Sequence, residues 1–180
     1  MEFNNSFLEK FQKEAYETAV SKGWHESDEL DANGHPTARQ KLAWLALVTD
    51  ELDEAVIERA NGRFDTYYDL KGKPCGFHTE YADALIRIGD MCGACGWKLS
   101  DRSGGHSGRA VSLKRNVFTE AIRCGDQKTQ SEVVSQLFWT IVFEWRLSQI
   151  YPTECALLSA LDVKMAYNKT RSHRHGGKLA

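Results

Sequence analysis

Residues 37–60 read TARQKLAWLALVTDELDEAVIERA, and residues 79–95 read TEYADALIRIGDMCGAC. In the first stretch Leu45, Val48, Leu52, Ala55 and Val56 recur at the three-and-four spacing of one helix face. Thr37 supplies an N-cap, and Asn61-Gly62 supplies a stop. In the second stretch Tyr81, Ala84, Leu85, Ile88 and Cys92 form the same kind of stripe, and Gly96 closes it. The spacing predicts helices over about Thr37–Ala60 and Thr79–Cys95. Nothing in the chain alternates with period two over a strand's length, so the expected fold class is all-α.

The other segments fit this frame. A first helix is predicted from about Asn5 to Lys22, on the recurrence of Phe7, Phe11, Ala15 and Ala19, with Gly23 ending it. Arg63 to Phe77 holds Gly72, Pro74 and Gly76 and reads as a long loop, a type of segment often functional in compact domains. Ser100 to Gly108 is rich in Ser and Gly and reads as flexible. Two further helices are predicted over Arg109–Cys124 and Gln130–Ile150. The second of these carries Val134, Leu137, Phe138, Ile141, Val142 and Trp145, a broad stripe suited to a core or a subunit interface. Pro152 opens a last helix that runs to about Thr170. The tail, Arg171 to Ala180, is expected to be non-helical.

Composition limits the function classes. The chain has 180 residues, a length that suits one domain, and 42% of them are hydrophobic, enough for a real core. A net charge of −2 rules out a global basic field for stable nucleic-acid binding. The charge is uneven, however. Asp50 to Glu58 is acidic and Lys164 to Lys178 is basic, as in a protein that holds a phosphate ester together with its metal, although two solvated faces would look the same. Five Cys form no disulfide framework. The N-terminus lacks a signal-peptide pattern, and the longest apolar zone, Leu137 to Phe143, is too short to span a bilayer. The expectation is a reduced, cytoplasmic protein with no membrane partner.

Two acidic pairs stand out. Glu51 and Glu54 lie three apart on the second helix, at the edge of its stripe near Leu47 and Ala55. Glu80 and Asp83 repeat the spacing on the third helix, beside Ala84 and Met91. Carboxylates that border a core are costly unless compensated. A hard divalent cation with oxygen ligands, Mg2+ or its substitute Mn2+, is the natural compensation. Surface pairing with Arg59 and Arg87 is the plain alternative, since a single E-x-x-E among 25 acidic residues carries little information. A di-iron bundle would place His at the i+3 positions, where this chain has Glu54 and Asp83. On the last helix Lys164, Asn168 and Arg171 share a face in line with Leu157 and Leu161, placed to hold phosphate oxygens. Cys92-Gly-Ala-Cys95 with Cys75 and His78 has zinc-like spacing, but both helical Cys fall inside an apolar arc. His25, His35 and His106 have no evident partners.

These pieces, in order, resemble the MazG-like all-α nucleoside triphosphate pyrophosphohydrolase family, in its short phage and bacterial form. The resemblance rests on Lys22-Gly-Trp24, Lys41-Leu-Ala, Asp50-Glu-Leu-Asp-Glu54, Lys73-Pro-Cys-Gly76, Glu80-Tyr-Ala-Asp83, and the ending Lys164 to Arg171 with Arg174 to Lys178. It covers about Phe7–Leu99 and Leu157–Lys178. It implies a single domain over 1–180: a four-helix-bundle core over about 5–99 and 152–178, with two additional helices inserted over about 101–151. It also implies Mg2+ on Glu51, Glu54, Glu80 and Asp83, cleavage of a nucleoside triphosphate to a monophosphate and pyrophosphate, and a homodimer or higher homo-oligomer. Lys164, Asn168, Arg171, Arg174 and Lys178 would position the phosphates, with Lys41 a weaker candidate. Glu51 and Asp50 are both candidates for the general base, and activation of water by the ion requires neither. Phe7, Phe11 and the 63–77 loop are candidate contributors to base recognition. The alternative is a catalytically silent helical module that binds metal, nucleotide or a partner.

Overall fold

The computed structural model describes residues 3–100, 111–148 and 154–173. Its elements are α1 (Asn5–Ser21), α2 (Ala38–Ala60), β1 (Tyr67–Tyr68), β2 (Pro74–Cys75), α3 (Phe77–Cys95), α4 (Val111–Cys124), α5 (Gln127–Leu147) and α6 (Glu154–Thr170). The fold is all-α. Helix starts are fixed by side-chain caps: Asn4 accepts from the Phe7 N–H, Thr37 from Gln40 and Asp126 from Thr129. The Asp126 cap starts α5 three residues earlier than its apolar stripe predicts. Gly96 ends α3 in the left-handed conformation, at φ 67°.

The most enclosed element is α3, which packs against α1, α2, α5 and α6. Its two interior glycines let α1 approach closely. A Cβ at Gly93 would lie 2.3 Å from the Tyr16 Cβ, and one at Gly89 would lie 2.9 Å from the Phe11 ring. Phe11 is thereby committed to the core, where it also meets Phe138.

The α4–α5 pair packs alongside, with α5 against α3 and α4 against α2. The Trp145 indole N–H donates to His78 Nδ1 at 3.1 Å, and Arg115 donates to the Thr49 hydroxyl at 3.0 Å. Lys41 donates to Gln130 Oε1 at 3.0 Å and lies 5.3 Å above the Trp97 ring. Buried residues from Phe3 to Met165, including those of α4 and α5, form one hydrophobic cluster.

Two further departures from the sequence reading concern α2 and the 63–77 segment. Val56, predicted on the core stripe, is 63% exposed. It is turned about 100° from the fully buried Ala55, onto a flank of α2 that no described helix covers. The 63–77 segment contains a short antiparallel ladder, Tyr67 to Cys75 and Tyr68 to Pro74. Two residues per strand are too few to show a period. Asp69 builds the turn by accepting from the Lys71 and Lys73 N–H groups, both at 2.8 Å. At Gly76, φ is 121° and a Cβ would meet the Asp65 carbonyl oxygen at 2.4 Å, so this hinge into α3 requires glycine.

Candidate metal centre

Carboxylate oxygens of Glu51 and Glu54 on α2 and Glu80 on α3 lie within 4.8 Å of one another. Opposite ligands of a Mg2+ ion stand about 4.2 Å apart, so small side-chain rotations suffice to gather these oxygens on one ion. Glu80 is the distinctive member. It is 2% exposed, and its Oε2 is buried with no hydrogen-bond partner. The closest cation, Lys164 Nζ, stands 3.7 Å away, beyond hydrogen-bonding distance. Burial pushes the Glu80 carboxyl up to about 7, with Lys164 opposing and Asp83 reinforcing the rise. Burial, followed by the Asp83 charge, also raises Glu51, against the pull of Arg87. A buried oxygen lacking a partner is expensive, and an all-oxygen donor set around it fits a hard divalent cation.

Asp83 stands beside this trio. It pairs with Lys164 at 2.5 Å. Lys164, expected to reach for phosphate, is 1% exposed and held between Asp83 and Glu80. The reason is its position: Leu157, Leu161 and Lys164 share one face of α6, and that whole face is buried. Asp83 and the cluster's own Glu80 therefore draw the ammonium inward.

Asn168 and Arg171 do reach the site. They line a cavity of about 350 Å3 together with Lys22, Trp24, Glu51, Glu54, Lys73, Asp83, Arg87 and Asp90. Burial lowers the pKa of the Arg171 guanidinium, and Asp83 and Glu51 are among the charges opposing that. Asp50 is exposed and lies outside the cavity lining, one residue and about 100° around α2 from Glu51. Lys41 is likewise absent from the lining; it is buried beneath α5 and Trp97. Arg174 and Lys178 lie outside the described residues.

Three cations that the sequence reading did not assign to phosphate belong to the wall: Lys22, whose Nζ donates to the Lys169 carbonyl at 2.7 Å, Arg87 and Lys73. Arg87 donates to Glu51 Oε1 from Nε at 3.2 Å and from Nη2 at 3.1 Å. Lys73, carried by the hairpin, lies 3.7 Å from Glu54 Oε2. Arg87 is visible in the sequence as a partner for these acids, and Lys73 as part of Lys73-Pro-Cys-Gly76. Their convergence depends on the turn at Asp69 and on α2–α3 packing, which local spacing does not encode.

A second cavity of about 370 Å3 adjoins the first and shares Trp24, Arg87 and Asp90 with it. Trp44, Leu47, Gln40 and His25 are among its other walls. His25 is not the unpartnered surface residue that the sequence suggests. Its Nδ1 meets Asp28 at 2.5 Å and its Nε2 meets Asp90 at 2.8 Å. Burial would discharge this imidazole, but Asp90 and Asp28 outweigh it and raise the pKa to about 9. His35 is exposed, and His106 lies outside the described residues. Phe7 and Phe11 line neither cavity.

The zinc-like spacing gathers no site. Among the described residues, the Glu51–Glu54–Glu80 trio is the one group of His, Cys, Asp or Glu with metal-holding proximity. Burial pushes the Cys95 thiol up to about 12 and Cys92 well above its ordinary range. No described helix is long and apolar enough to cross a membrane. Comparison of the chain with protein families, with curated proteins and with solved structures finds no match.

Proposed function

We propose that this protein is a Mg2+-dependent pyrophosphohydrolase that cleaves a nucleoside triphosphate to the monophosphate and pyrophosphate. The observation that carries the reading is the orphaned Glu80 Oε2, buried behind Glu51 and Glu54, which themselves line a cavity that Lys22, Lys73, Arg87 and Arg171 also line. The ordered resemblance to MazG-like enzymes supports it.

Glu51, Glu54 and Glu80 would hold the ion, and Mn2+ could replace Mg2+. When bound, the ion neutralises polyphosphate charge and lowers the pKa of water. The chain's own groups do the rest. Lys164 holds Asp83 and keeps the back of the cluster from flying apart. Arg171, Lys22 and Asn168 at the cavity wall bind phosphate oxygens through charge-assisted hydrogen bonds. Glu51, raised by burial, takes the proton of the water that attacks the α-phosphorus. The adjoining cavity accepts the nucleoside end, with Trp24 and Trp44 offering ring faces for base stacking. Surface apolar residues Val56, Ile57, Tyr68 and Leu70 suit contact with a second copy of the chain, and the free thiols of Cys75, Cys92 and Cys95 fit a reduced, cytoplasmic setting.

The test is product identity. Each of the eight common NTPs and dNTPs is incubated with protein and Mg2+, and products are resolved by anion-exchange chromatography. Monophosphate plus pyrophosphate is expected. A diphosphate with orthophosphate would overturn α/β cleavage, and nucleotide binding without turnover would replace it with the silent binding module.

A further inference from the structure

Three carboxylates meet at the centre with Asp83 beside them, yet the protein already carries cations among them. Lys164 is locked inside, 1% exposed, against Asp83 and Glu80. Arg87 and Lys73 differ from it: their side chains are 32% and 35% exposed, and both line the cavity. Arg87 occupies Glu51 Oε1, an oxygen of a candidate metal ligand. Lys73 stands 3.7 Å from Glu54 Oε2, on another. An ion gathering these carboxylates would compete with both cations and set their donors free at a cavity wall. Arg presents a planar fork and Lys a mobile point charge, and both suit phosphate oxygens.

We propose that Arg87 and Lys73 are exchangeable counter-ions: they hold Glu51 and Glu54 in the metal-free protein and transfer to the polyphosphate when a divalent cation takes those carboxylates. The inference rests on the metal site and substrate class proposed above. It adds two phosphate-binding residues and a consequence. The bare cation is opposed by Arg87 and Lys73, whereas the cation–polyphosphate complex is helped by them, so binding of the two is mutually reinforcing. The arrangement favours a metal-loaded substrate over either component alone.

The test uses Mn2+ and inorganic tripolyphosphate as probes of the full chain. Mn2+ alone is titrated by electron paramagnetic resonance, and preformed Mn2+–tripolyphosphate by calorimetry. Arg87→Ala is expected to bind Mn2+ alone about fivefold tighter, since a partly buried ion pair of this kind is worth on the order of 1 kcal/mol. The same variant should bind the complex at least fivefold more weakly. Lys73→Ala, on the hairpin outside the core, should show the same opposed pair of shifts, and Arg87→Lys should restore part of each. Shifts of equal sign, no shift, or no Mn2+ binding by the wild-type protein would overturn the proposal. A merely structural Arg87 would weaken both. Opposed shifts together with the wrong hydrolysis products would leave the exchange standing and defeat the pyrophosphohydrolase reading.

Discussion

Glu80→Gln should make the metal-free protein more stable while removing its response to metal. The folded protein holds this carboxyl at about 7 against an ordinary value of 4.5. A carboxyl raised on folding binds more protons in the native state, so native stability falls as pH climbs from 4.5 through about 7. Above that window the full cost of the buried charge is present, about 3 kcal/mol from the size of the shift. Glutamine keeps the shape without the charge, and its amide faces the carboxylates of Glu51 and Glu54, whose oxygens lie within 4.8 Å of that of Glu80. The gain at pH 8 should therefore be about 1–3 kcal/mol, and it should shrink towards zero near pH 5. Urea denaturation in a chelator at both pH values measures it. A parallel series with Mg2+ at about ten times its Kd should stabilise the wild type by about 1.4 kcal/mol and leave the variant unmoved. A variant less stable than wild type at pH 8, or a gain of the same size at both pH values, would refute the reasoning.

Two other perturbations test neighbouring groups. Lys164→Met leaves Asp83 and Glu80 facing each other without their shared cation, and should cost about 3–5 kcal/mol at pH 8, less at pH 5; a cost under about 1 kcal/mol by denaturation would remove Lys164 from its assigned role. His25, raised from 6.5 to about 9, lends stability that is complete below pH 6.5 and lost as pH rises through 9. That loss is about 3 kcal/mol; His25→Gln should flatten the stability profile across this window, and an unchanged slope would show that the ring is not charged between Asp28 and Asp90.

Periodicity and caps made the helices legible. Thr37, Gly96 and the stripes of α2 and α3 define their elements within a few residues, because each signal is local. Membership of Glu51, Glu54 and Glu80 in one cluster was legible too, since stripe-edge acids on successive helices tend to converge. Asp83 and Lys164 show where that reasoning stops. Each belongs on the right face, yet their mutual pairing turns Asp83 aside and Lys164 inward. Lys41 fails for a different reason. It falls on the apolar side of α2, four residues before Leu45, so its burial follows the stripe; its partners Gln130 and Trp97, 89 and 56 positions away in the chain, are what no local pattern announces. The hairpin that delivers Lys73 depends on one Asp side chain and a positive-φ glycine, which leave no period to read.

The enclosure of α3 has a consequence for how the centre moves. Glu80 and Asp83 belong to a helix buried along most of its length, whereas α2, which carries Glu51 and Glu54, has much of its surface in solvent. Amide hydrogens of α3 should exchange with deuterium only when the whole molecule opens, and those around Glu54 to Arg59 through smaller, frequent openings. The cluster thus joins a fixed jaw to a yielding one. Ligand that bridges the two should slow exchange chiefly along α2, so the protection pattern of that single helix would report occupancy of the centre without any measurement of turnover.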